Sequence, residues 1–91
     1  PTIYLYNMNT GQSRLFCKAK VDLDPNAYKV EQIFYKSKDG TRIPMFVMRK
    51  TSTPLDGNNP TILYGYGGFN IPMIPQFSLS LITWMDMGGV Y

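Results

Sequence analysis

Pro60-Thr61-Ile62-Leu63-Tyr64-Gly65-Tyr66-Gly67-Gly68-Phe69-Asn70 is a short apolar run that ends abruptly in three glycines. Thr61 to Tyr64 does not alternate between polar and apolar residues. That pattern predicts a strand buried on both faces in a parallel sheet. The glycines then form a loop at the strand's end, where ligand sites form in α/β sheets. A dinucleotide loop would need a third glycine where Asn70 stands, and a phosphate loop would need Gly-Lys-Ser/Thr. Neither pattern is met. Two readings stay open: a tight strand-to-helix turn packed with aromatics, or a loop that presents Tyr66. Glycine on each side removes Cβ bulk, so the backbone can approach a ligand and the ring can project into a cleft. A phenol is a neutral donor at pH 7, and a donor held about 3 Å from a developing oxyanion lowers an acyl-transfer barrier by several kcal/mol.

Outward from that loop, the neighbouring segments read as the opening of an α/β domain. Val30 to Tyr35 and Ile43 to Met48 are strand-like and flank Ser37-Lys38-Asp39-Gly40-Thr41, whose Asp-Gly pair signals a hairpin. Pro44 has no N–H to donate, so its strand is expected at an edge or bulged there. After the polar loop Thr51 to Asn59 and the central strand, Pro72 and Pro75 keep the chain extended or turned. Ser78 or Ser80 is expected to cap a helix running to Met87, with Leu81, Trp84 and Met85 on one face and Gly88 at its end. Met87 to Tyr91 reads as the start of a further strand. On the other side, Thr2 to Tyr6 and Arg14 to Cys17 predict a hairpin turned by Asn7 to Gly11, with positive φ at Gly11. Val21 to Ala27 has the composition of a linker. Residues 1–26 and 27–91 are therefore expected to belong to different units.

Composition narrows the chemistry. Of 91 residues, 44% are apolar, 14% aromatic and 16% charged, which suits a packed chain and excludes a disordered one. No apolar run approaches the ~20 residues of a membrane helix. All nine basic residues lie between Arg14 and Lys50, alongside four acidic ones, whereas residues 51–91 carry only Asp56 and Asp86. A basic half raises nucleic acid as a partner, against a solvated strand surface. Cys17 is alone and is expected to be a buried structural thiol. There is no His, hence no Ser-His-Asp or Cys-His machinery and no His-based zinc site within these residues. The absent initiating Met and the apolar final run lead us to expect a piece of a longer protein, and the start has no secretory leader pattern.

Gln32-Ile33-Phe34-Tyr35, Ser37 through Phe46, Leu55-Asp56-Gly57, Leu63 through Ile71 and Met87-Gly88-Gly89-Val90 together resemble the prolyl oligopeptidase family, in order and at compatible spacing. Residues 1–24 resemble the end of that family's β-propeller. Lys36 departs from the proline the family often has there. The resemblance implies a cytosolic serine peptidase, monomeric and without metal or cofactor. It would cut short proline-containing peptides on the carboxyl side of proline and have no nucleic-acid or membrane partner. The implied fold class is α/β: residues 27–91 open an α/β-hydrolase domain, in which an oxyanion donor comes from the loop after the third strand. Tyr66 takes the place of the family's oxyanion-hole tyrosine, and Phe69 that of an aromatic lining the proline pocket.

The catalytic Ser, Asp and His would lie downstream of Tyr91. None of Ser13, Ser37, Ser52, Ser78 or Ser80 sits in a Gly-x-Ser-x-Gly elbow, so no nucleophile is assigned. Asp86 reads as a solvent-facing carboxylate, Asp22, Asp24 and Asp39 as linker or turn residues, and the methionines as gap-fillers. The alternatives are a related oligopeptidase that cleaves after basic residues, or a small basic β-rich binding module. The chain alone is expected to be inactive and poorly stable, with an open sheet edge after Val90 and an exposed apolar face.

Overall fold

The Asn7 side chain makes the first turn. In the computed structural model, which describes residues 2–91, its Oδ1 accepts the N–H groups of Asn9 (2.9 Å) and Thr10 (3.1 Å). Gly11, at φ 69°, donates to the Asn7 carbonyl at 2.9 Å. This pins β1 (Thr2–Asn7) against β2 (Gln12–Lys18), antiparallel from Asn7↔Gln12 to Thr2↔Lys18, with an irregularity between Ile3 and Tyr4. Every residue of both strands is exposed, Cys17 among them. The expected buried thiol is therefore corrected: a two-stranded ribbon has two faces, and no described element covers either. Residue 1, the start of the expected first unit, lies outside the described residues.

The linker is more ordered than its composition suggests. Asp24 Oδ1 accepts the Asn26 N–H at 3.0 Å and caps a single 3-10 turn, Pro25–Ala27. Thr51 fastens that turn to the next hairpin, its N–H donating to the Ala27 carbonyl (2.9 Å) and its hydroxyl to that of Asn26 (3.1 Å). β3 (Tyr28–Lys36) and β4 (Arg42–Lys50) then pair without a register shift from Tyr28↔Lys50 to Lys36↔Arg42. At the tip, Asp39 accepts the Ser37 hydroxyl and the Thr41 N–H, which pulls its carboxyl down to about 2, and Gly40 turns at φ 86°. Arg42 stacks 4.0 Å over the Phe34 ring across the strands. The Arg49 guanidinium gathers the following loop, donating to the carbonyls of Lys50 (3.2 Å) and Thr53 (2.7 Å) and to Glu31 (3.3 Å).

The second sheet continues beyond that hairpin. Met48 and Tyr91 exchange both backbone hydrogen bonds, at 2.7 and 2.9 Å. Even-numbered residues of β4 therefore turn their backbone groups away from β3. Pro44, opposite Phe34, loses no bond to β3, which is why a proline is accepted there without a bulge. Val90 in turn donates to the Pro60 carbonyl and accepts from Ile62, each at 2.9 Å, making a parallel bridge to Thr61. The order is thus β3, β4, residues 90–91, residues 60–62, with the last pair joined by a crossover through a helix. Residues 90–91 are flanked on both sides, so the open edge expected after Val90 lies instead along residues 60–62, which among the described residues pair on one side only. Residues 61–64 pair only at Thr61, and Leu63 is 81% exposed. The expectation of a strand buried on both faces is not met, because no described layer covers it.

The helix α1 (Leu79–Asp86) begins at Ser78, whose side chain makes no capping bond. Its far end is closed as a Schellman motif: Gly88, at φ 89°, donates to Met85 (3.0 Å) and Gly89 to Trp84 (3.0 Å). The Trp84 indole N–H reaches forward to the Val90 carbonyl at 3.0 Å, so the helix end is tied to the inserted strand. Met85 is 1% exposed and, with Val47 and Val90, makes up the small core; Met8 and Met87 are instead exposed and fill no gap. No helix is long and apolar enough to cross a membrane among the described residues.

Asp86 is not simply solvent-facing. It accepts the Tyr28 hydroxyl at 2.7 Å and pairs with Lys50 at 2.8 Å, fastening helix to hairpin. Lys50 first and Tyr28 second hold its carboxyl below the usual range. A depressed folded-state pKa gives stability that is present above the unfolded value and is lost as pH falls through the folded one. Asp86→Asn is accordingly expected to lower the thermal midpoint at neutral pH, with the difference from the unsubstituted protein shrinking as acid protonates the carboxylate. A difference between the two that stays constant from pH 7 to pH 2 would show that the charge is not involved.

Candidate functional site

The glycine loop leaves the carboxyl end of residues 60–62, the strand bridged in parallel to Val90. Of its glycines only Gly67, at φ 75°, has a backbone conformation that demands one. A Cβ at Gly65, Gly67 or Gly68 would meet no atom within 4 Å. The loop then does something unusual for L residues: Phe69 and Asn70 both lie in the left-handed region, at φ 52° and 53°. Ile71 closes the bend by donating to the Gly68 carbonyl at 3.2 Å. Two consecutive left-handed residues inside a hydrogen-bonded turn are the mark of the type I′ family, and an aromatic residue there is an outlier.

The consequence is a loop that faces outward. Tyr66 is 50% exposed and Phe69 89% exposed. The structure brings the two onto one short loop and surrounds neither with a closed pocket. The packed-turn reading is thereby weakened, because the aromatics it would bury stand in solvent.

Three of the serines to which no nucleophilic role was assigned have structural places. Ser37 is bound to Asp39 in the hairpin tip, Ser13 lies on exposed β2, and Ser78 stands at the start of α1 without a capping bond. No group of three or more metal-ligating side chains occurs among the described residues. An apolar groove of about 270 Å³, between the 3-10 turn, the second hairpin and α1, is lined by Pro25, Met48, Phe77, Leu81 and Met85. It contains neither Tyr66 nor Phe69. What the sequence did not disclose is the Tyr28–Asp86–Lys50 cluster, a contact across 58 residues without a local signal. Nor did it disclose the left-handed pair, for which Asn70 was the available clue.

No protein-family model matches the chain. A prolyl endopeptidase of Elizabethkingia meningoseptica is 52% identical over 91 residues, covering the whole of this chain and 13% of that enzyme. A solved structure from a mechanistic study of two prolyl endopeptidases superposes on 99% of the chain with a TM-score of 0.88 and 51% identity, covering 13% of its own length. Prolyl oligopeptidase B from Galerina marginata, solved with a 35-residue hydrolysis and macrocyclisation substrate, gives 0.86 at 39% identity over 98% of this chain and 13% of its own. The chain thus spans about 13% of the length of the relatives it matches.

Proposed function

We propose that this chain, which matches prolyl oligopeptidases from end to end, is part of a serine peptidase that hydrolyses short peptides on the carboxyl side of proline. The observation that carries the reading is the outward-facing loop of residues 65–70, set at the carboxyl end of a parallel strand within a chain 52% identical to a prolyl endopeptidase. Tyr66 donates a hydrogen bond from its phenolic hydroxyl to the oxyanion of the tetrahedral intermediate, together with a backbone N–H beside the nucleophile. Phe69 packs against the substrate proline. The triad residues lie outside these 91, so the chain alone has no hydrolytic activity. Residues 27–91 open an α/β-hydrolase domain, a reading supported by the backbone hydrogen bonds that place residues 90–91 between β4 and residues 60–62. Residues 1–26 close a β-propeller. The enzyme works in the cytosol as a monomer, with no metal or cofactor.

The test is the full-length protein assayed with two chromogenic peptides that differ only in the residue before the scissile bond. Proline is expected to be preferred over arginine by about 100-fold in kcat/KM. Preference for arginine would identify the basic-residue oligopeptidase instead. Hydrolysis of neither, with nucleic-acid binding that weakens steeply as salt rises, would favour the binding module.

A further inference from the structure

The left-handed pair at the loop's tip is unexplained by the roles given to Tyr66 and Phe69. A non-glycine residue at positive φ is uncommon, and a bulky one is held there only when its surroundings over-determine it. Phe69 is at φ 52° with its ring 89% exposed, so no packing of the ring holds it. What remains is the turn itself: the Ile71 N–H on the Gly68 carbonyl, Gly67 at φ 75°, and Asn70 at φ 53°. Asparagine is among the few L residues that enter the left-handed region readily, since its short polar side chain hydrogen-bonds locally.

We propose that Asn70 is a positioning residue: its tolerance of the left-handed conformation sets the turn that directs Phe69 toward substrate. This rests on the proline-pocket reading of Phe69. Without Asn70 the turn opens in part of the population, and substrate meets a loop that is competent only for a fraction of the time. Apparent affinity falls by that fraction, while turnover of bound substrate is preserved.

In the full-length enzyme Asn70→Ala is expected to raise KM about fivefold, with kcat within about twofold. Asn70→Gly enters the same region without penalty and is expected to keep KM within about twofold of the parent. In a Phe69→Ala background, Asn70→Ala is expected to add little, because the residue it acts through is gone. Three results would overturn the role of Asn70: an unchanged KM in Asn70→Ala, a glycine variant as impaired as the alanine one, or full additivity with Phe69→Ala. A Phe69→Ala enzyme with unaltered KM is a separate failure, since it removes the pocket reading beneath the proposal.

Discussion

Tyr66→Phe in the full-length enzyme is expected to lower kcat about 10²–10³-fold, the loss that follows removal of one preorganised oxyanion donor. The substitution keeps the ring and deletes a single hydroxyl. Folding should survive, because Tyr66 is half exposed and the ring remains. KM should change by no more than about twofold, because the hydroxyl meets its partner only when the carbonyl oxygen becomes anionic. A variant with normal kcat and reduced thermal stability would return Tyr66 to a packing role. A rise in KM with constant kcat would make it a ground-state binding residue.

The second large effect is on folding. Gly89 is buried beneath the Trp84 indole, and a Cβ there would overlap the ring at Cδ1, Nε1 and Cε2. The ring has little room to retreat, since its N–H is bonded to the Val90 carbonyl at 3.0 Å. Gly89→Ala is expected to cost about 2–4 kcal/mol, the sum of overpacking and a strained or broken hydrogen bond. The damage would fall where helix end and inserted strand meet. Denaturant unfolding of the full-length protein measures the loss. Trp84→Phe supplies the comparison: it removes the indole donor together with part of the ring's volume and should cost about 1–3 kcal/mol. In a Trp84→Ala background the Gly89→Ala penalty should largely vanish, because the obstacle is gone. Equal penalties in both backgrounds would place the strain in the backbone instead.

What the sequence disclosed and what it withheld divide along the range of the interactions. Asn7 to Gly11 and Ser37 to Thr41 are turns whose own side chains make the bonds, so both hairpins were legible from a few residues. Gly88 announced the helix end for a different local reason, since only glycine enters the positive-φ position of a helix stop without penalty. The placement of Val90–Tyr91 between β4 and residues 60–62 is set by hydrogen bonds between distant segments. Nothing near Val90 encodes it. Cys17 was misjudged because β-prone apolar residues imply burial only when another layer covers them, and β1–β2 stands exposed on both faces. The same cause exposes Leu63, although its apolar run has the composition of a buried strand. In the candidate site, the glycine pattern located the loop and singled out Tyr66 and Phe69. Their outward aspect and the left-handed turn beneath Phe69 depend on dihedral angles that residue identity restricts without fixing.

The proposed mechanism turns on where one phenolic oxygen sits during acyl transfer. The most direct measurement is a structure of the full-length enzyme covalently trapped by an inhibitor that forms a tetrahedral adduct on the nucleophilic serine. The account predicts Tyr66 Oη at about 2.7–3.1 Å from the adduct's oxygen, within hydrogen-bond reach. A Tyr66 ring turned away, with that oxygen held only by other donors, would contradict it.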